Sequence, residues 1–234
     1  MSLSVTAEIQ GKDPFVLNAT SVEKLWRLSE KHIGVTVAKA ACQDGIERNF
    51  ESLEALLAYE NSRSGAIKQL ELTSRIQGGE LRSTITLGSS LFGNISARAS
   101  GPEDAIVIWR FKIVEILDGL RPWYRAITKI DFSNVMFTVM VLLWIVISMM
   151  SMGAASPKSV SFAEAAKATG ILVAFFGLVT IVSTTLNRLR DRYFPMAFFA
   201  IGQGEERFRT DENVRWVVIV GFVVSTISSL LIAL

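Results

Sequence analysis

Residues 135–152 read VMFTVMVLLWIVISMMSM, and the uncharged run around them extends over 132–157. Two further uncharged runs follow, at 168–187 and 216–234. Crossing a hydrocarbon core of about 30 Å as a helix takes about 20 predominantly apolar residues. Large soluble core helices are usually shorter and keep a polar stripe. The three runs therefore predict three transmembrane helices, over about 133–153, 168–187 and 216–234.

The rest of the chain has a different character. The 234 residues are 50% hydrophobic and 20% charged, with a mean hydropathy of +0.38. Acids and bases balance over residues 1–131, so no nucleic-acid partner is expected. Regularly spaced apolar residues exclude disorder. A single cysteine, Cys42, excludes an intrachain disulfide framework and a cysteine zinc site. A single histidine, His32, excludes a His-rich metal centre.

Short-loop lysines and arginines set the orientation of membrane helices. Arg121, Arg125 and Lys129 precede the first run, and Arg188, Arg190, Arg192, Arg207, Arg209 and Arg215 lie between the second and third. Between the first and second stand only Lys158 and Lys167. The bias predicts a cytoplasmic N-terminal domain, a cytoplasmic loop over 188–215 and an external C-terminus, in a bacterial inner membrane. Trp123, Tyr124, Tyr193 and Trp216 fall at the expected boundary with Arg188, Arg190 and Arg192, as interfacial anchors do. The first residues show neither a basic start nor an apolar core, so no signal peptide is expected.

Residues 1–120 have the shorter periods of an α+β domain, joined to the first run by a connector over 121–131. Val5, Ala7 and Ile9 alternate with polar neighbours, and Gly11-Lys12-Asp13-Pro14 supplies a turn. Thr20 and Glu23 have capping-box spacing before a helix that Gly34 ends. Asp44-Gly45 joins the strands of a hairpin. Leu70, Leu72, Ser74 and Ile76 share one strand face, Leu81, Ser83, Ile85 and Leu87 a second, and Ile95, Ala97 and Ala99 a third. Gln77-Gly78-Gly79-Glu80 turns between the first two. Such alternation predicts an antiparallel meander covered on one side. The cover is a helix opening at Pro102-Glu103-Asp104, with Ile106, Trp109, Ile113, Ile116, Leu117 and Leu120 inward and Arg110, Lys112, Glu115 and Asp118 outward.

No residues are assigned to catalysis, to a cofactor or to a metal. The pairs Glu51/Glu54 and Glu103/Asp104 sit at helix starts, where the dipole alone favours acids. His32 lies at a helix end, where a cation is favoured. Cys42 has no basic neighbour in sequence to stabilise a thiolate. Gln77-Gly78-Gly79 and Gly202-Gln203-Gly204 match neither a P-loop nor a dinucleotide fingerprint and read as turns.

The apolar runs offer packing positions instead. Gly221, Ser225 and Ser229 form a small-residue seam on the third, and Gly170, Ala174 and Gly177 another on the second. Small residues let helices approach closely in lipid, within one chain or between subunits. Thr180, Thr184 and Asn187 continue as a polar stripe, a candidate pore lining. No ionisable residue lies within a run, which argues against a proton pump. Residues 194–201 are too apolar for a free loop, and either lie at an interface or dock on the N-terminal domain.

The expected fold class is thus a cytoplasmic α+β domain, an antiparallel sheet with covering helices, followed by a three-helix membrane module over 132–234. The expected function is non-enzymatic: a homo-oligomeric membrane effector whose cytoplasmic domain senses a protein or small-molecule trigger and whose helices gate or permeabilise the lipid bilayer. Bacterial stress and anti-phage systems use such two-part designs, an analogy of architecture rather than of motif. The alternatives are a membrane-anchored adaptor that localises a partner protein and an accessory subunit of a transporter complex.

Overall fold

The computed structural model describes residues 4–76, 79–90, 93–152 and 162–233. Gln77 and Gly78 of the expected turn, and Lys158 of the expected outer loop, lie outside the described residues. Contacts divide the chain into one unit over Met1–Arg125 with Pro195–Leu234, and a second over Ala126–Phe194.

The first unit opens with β1 (Ser4–Gly11), β2 (Phe15–Asn18), α1 (Ala19–His32), β3 (Val35–Cys42), β4 (Glu47–Phe50) and α2 (Leu53–Leu57). It continues with β5 (Ile67–Arg75), β6 (Arg82–Ser90), β7 (Gly93–Pro102) and α3 (Glu103–Asp118), then the one-turn α4 (Arg125–Thr128) at its boundary. Six strands form a sheet in the order β1-β7-β6-β5-β3-β4, each pair antiparallel. Strict alternation sends Leu70, Leu72, Ile85, Leu87, Ala97 and Ala99 to one face, where all are buried. Helices α1 and α3 cover that face with Val22, Leu25 and Trp26 from one and Ile106, Trp109 and Ile113 from the other.

Local chemistry explains the boundaries. The α1 N-cap is Asn18, two residues before the expected Thr20. Asn18 is still extended at the end of β2, and its side chain accepts from the Ser21 N–H at 2.8 Å. Gly34 ends the helix with φ +139°, and a Cβ there would stand 2.7 Å from the Arg75 carbonyl oxygen. Pro102 is the N-cap of α3, so the helix starts at Glu103, one residue later than expected. The outward face of α3 is less polar than its sequence suggests, since Val107, Ile108 and Phe111 are exposed, Phe111 by 76%.

The same unit takes in β8 (Ala197–Ala200) and α7 (Gln203–Ala233). β8 pairs in parallel with β2, Phe15 opposite Ala197 and Asn18 opposite Ala200. Phe199 and Ile201 are buried in the core, and Phe199 meets Phe15 edge to face at 5.6 Å. Of the two readings of residues 194–201, docking on the N-terminal domain is the one observed. The second unit is a pair of helices, α5 (Phe132–Met152) and α6 (Phe162–Tyr193).

The expectation of three membrane spans is overturned. Among the described residues, no helix is long and apolar enough to cross a membrane. The 32-residue α6 ends in the polar and charged Asn187, Arg188, Arg190, Asp191 and Arg192. Before Trp216, α7 is a charged helix from Glu205 to Arg215. The transmembrane channel, the inner-membrane location and the orientation with an external C-terminus fall with the spans. What stands is a mixed α/β fold around a six-stranded antiparallel sheet.

Candidate functional site

The sheet has one face under helices and one face open, and the registers fix what the open face presents. Thr6, Ser100, Arg82, Arg75 and Val35 form one row across β1, β7, β6, β5 and β3. Two residues along, the next row is Glu8, Arg98, Thr84, Thr73 and Val37. The third is Gln10, Ser96, Thr86, Glu71 and Lys39, with Asn49 of β4 beyond. Lys39 is engaged by Glu47 at 2.7 Å, and Arg82 donates from Nε to the Ser100 hydroxyl at 3.1 Å.

A second constellation sits where α7 meets the segment after α3. Arg215 is fully buried, donates to the Glu212 carboxylate at 2.6 Å, and lies 4.7 Å over the Tyr124 ring and 5.1 Å over that of Phe208. Trp123 stacks on Trp216 at 5.5 Å and donates its Nε1–H to Glu212 at 2.7 Å. Burial pushes the Tyr124 hydroxyl up to about 12, against the opposing pull of Arg215. Of the expected interfacial anchors, Tyr124 faces the buried Arg215 cation, while Trp123 and Trp216 stack on each other and Trp123 binds its counter-ion Glu212. The geometry is that of a packed clamp.

A third feature had no sequence signal. Asn61 is buried at φ +48°, donates from Nδ2 to the carbonyls of Phe199 (2.9 Å) and Ile201 (3.1 Å), and accepts from the Ile67 N–H at 2.9 Å. Arg207 donates to the Asn61 carbonyl at 2.6 Å, and burial, with Arg63 nearby, lowers the pKa of Arg207. Gly202 makes the approach possible: at φ +52°, a Cβ there would stand 2.6 Å from the Glu60 carbonyl oxygen. Asn61→Ala strips three buried backbone groups of their partner, so an unfolding cost of about 2–4 kcal/mol is expected from urea titration. Asn61→Gly should cost less, because it relieves the positive φ.

The remaining expected positions are dispersed. Asn187 holds the base of the helix pair: its Oδ1 accepts from the Phe132 N–H at 3.1 Å, and its Nδ2 donates to Ser133 Oγ at 2.9 Å. Arg190 donates to the Ile130 carbonyl and pairs with Asp191. Thr180 bonds back to the Phe176 carbonyl at 2.9 Å, while Thr184 and Ala174 are exposed. Gly170, Gly177 and Gly221 have open space where a Cβ would stand, and Ser229 bonds back to the Ser225 carbonyl. Arg188 and Arg192 are exposed, and Tyr193 is half-buried.

Among the described residues no group of three His, Cys, Asp or Glu side chains is placed to hold a metal ion. Cys42 is buried, 3.8 Å from the Tyr59 hydroxyl. His32 lies 3.4 Å from the Lys112 ammonium, and burial, Lys112 and Lys31 together lower its pKa. The sharpest electrostatic feature is Asp44, whose carboxylate accepts both Arg48 guanidinium nitrogens at 3.1 and 2.6 Å, and the Ile46 N–H at 3.0 Å. These bonds hold its pKa at about 2, below its ordinary 3.8. A depressed carboxylate stabilises the fold above its unfolded pKa and loses that effect as pH falls through the folded one. NMR titration of Asp44 should therefore show its midpoint near 2, and the turn should loosen between pH 4 and 2.

No family model, no curated protein and no solved structure matches the chain.

Proposed function

We propose that this protein is a non-catalytic assembly protein, a homo-oligomer built through the α5–α6 helix pair, whose sheet unit receives a partner. The observation that supports the reading is the surface of the pair. Phe137, Trp144, Ile171 and Ile181 are each 65–70% exposed. A groove of about 360 Å³ among Phe137, Trp144, Phe175 and Phe176 is almost wholly apolar. Monomeric proteins rarely leave contiguous apolar patches beyond a few hundred Å², and larger ones mark interaction sites.

Light scattering of the full chain on a sizing column tests it. The expected mass is a whole multiple of 25.8 kDa, and Trp144→Glu should shift it to a smaller species with unchanged sheet signals. A folded native chain that runs as a monomer, alone or with bound detergent, overturns the reading.

A second reading, an adaptor that localises a partner protein, is favoured by one separate observation. Val107, Phe111 and Val114 are exposed along the outer face of α3 at helical spacing.

A further inference from the structure

The open face of the six-stranded sheet gathers three arginines, and only Arg98 has an acid, Glu8, directly opposite it. Arg75 and Arg82 stand directly opposite on β5 and β6. Arg98 is on the next strand, two residues along from the partner of Arg82. Directly opposed residues have Cβ atoms about 4.5–5.5 Å apart, and diagonal ones lie within about 7–8 Å, so like charges there oppose folding. Among the described residues the side chains of Arg75 and Arg98 have no ion pair or hydrogen bond, and that of Arg82 bonds only the neutral Ser100 hydroxyl. Around them the face supplies hydroxyls, Ser100, Thr84 and Thr73. Next to Arg75 come the exposed aliphatic side chains of Val35 (61%) and Val37 (43%). Two shallow grooves follow this pattern. One of about 280 Å³ lies between Arg82, Thr84, Arg98 and Ser100, and one of about 520 Å³ runs over Val35, Val37, Thr73 and Arg75 to a far end lined by Lys39, Glu51 and Glu71.

We propose that this face docks an extended acidic peptide segment of a partner protein, with its carboxylates on Arg75, Arg82 and Arg98 and an aliphatic side chain on Val35 and Val37. Guanidinium forks match carboxylates in pairs of hydrogen bonds, and two guanidiniums that repel one another are relieved by an anion between them. Four strands at about 4.8 Å spacing span about 14 Å from β3 to β7, the reach of four or five extended residues. One feature disfavours nucleic acid: the rows of the face contain no aromatic ring on which a base can stack. Glu8 and Glu71 stand on the same face and confine the segment's carboxylates to the arginines. The proposal deepens the reading above by giving the chemistry of the partner. The mass measurement tests only assembly, so the two fail separately.

The test is a fluorescence anisotropy titration of the full chain with a labelled peptide of alternating glutamate and valine. Saturable binding that weakens at least fivefold between 50 and 300 mM salt is expected. The glutamine version of the peptide should not bind. Arg75→Glu with Arg82→Glu should abolish binding. Arg82→Gln gives the reading that a structural role cannot mimic: affinity should fall at least fivefold while the urea midpoint stays or rises, because one like charge is gone. No saturable binding, binding indifferent to the arginine variants, or preference for an oligothymidylate probe over the peptide would each overturn the proposal. Inorganic phosphate displacing the peptide at micromolar concentration would overturn it as well, by assigning the arginines to a free anion.

Discussion

Trp109→Ala should remove about 3–5 kcal/mol from the stability of the sheet unit, the range for deleting a large aromatic from a packed core. Trp109 is wholly buried on the inner face of α3 with Ile106 and Ile113, beneath the sheet. Domains are stable by about 5–15 kcal/mol, so a loss of this size leaves the unit marginal. The indole N–H makes no hydrogen bond in its buried site. Trp109→Phe removes that unsatisfied donor along with part of the volume, and should cost clearly less than the alanine change. Because the chain has two units, hydrogen exchange of the β5 and β6 amides is the proper readout. Unchanged exchange in Trp109→Ala would mean that α3 does not hold the sheet.

Arg215→Ala should be nearly as severe, at about 2–4 kcal/mol. The variant leaves Glu212 without its buried partner and opens a void between the Tyr124 and Phe208 rings. Arg215→Met tests which loss matters, since it keeps an unbranched stem between the rings and removes the charge. Replacing Glu212 by glutamine as well should recover part of the Arg215→Met loss, because no lone charge then remains. A double variant no better than Arg215→Met would place the energy in packing and ring contact rather than in the ion pair.

How far the fold was legible depended on whether its cause was local. The alternation through Leu70, Leu72, Ile85, Leu87, Ala97 and Ala99 and the spacing of Ile106, Trp109 and Ile113 are written in neighbouring residues, and they mark β5, β6, β7 and α3. The β2–β8 pairing is not local: Phe15-Val16-Leu17 finds its partner in residues near 198, and nothing in either stretch names the other. The runs at 132–157, 168–187 and 216–234 mislead because an uncharged apolar stretch of about 20 residues is not by itself sufficient for a span. Arg215 shows the same limit: in sequence it belongs with the basic residues of the 188–215 loop, and in the fold two rings and a carboxylate enclose it. On the open face, Arg75, Arg82 and Arg98 could be assigned to polar strand faces, but only the register reveals that they converge.

The pairing of β2 with β8 also orders events during synthesis. About 180 residues separate the two strands, and translation at about 5–20 residues per second needs roughly 10–35 s to cover that distance. Throughout that interval Phe15 and Leu17 lack Phe199 and Ile201, and Asn61 lacks the carbonyls it will bind. A fragment ending at residue 120 stays in that condition for good, with apolar side chains and unpaired strand groups facing water. The sheet unit is thus completed only after residue 201 has left the ribosome, and its completion cannot precede the synthesis of α5 and α6.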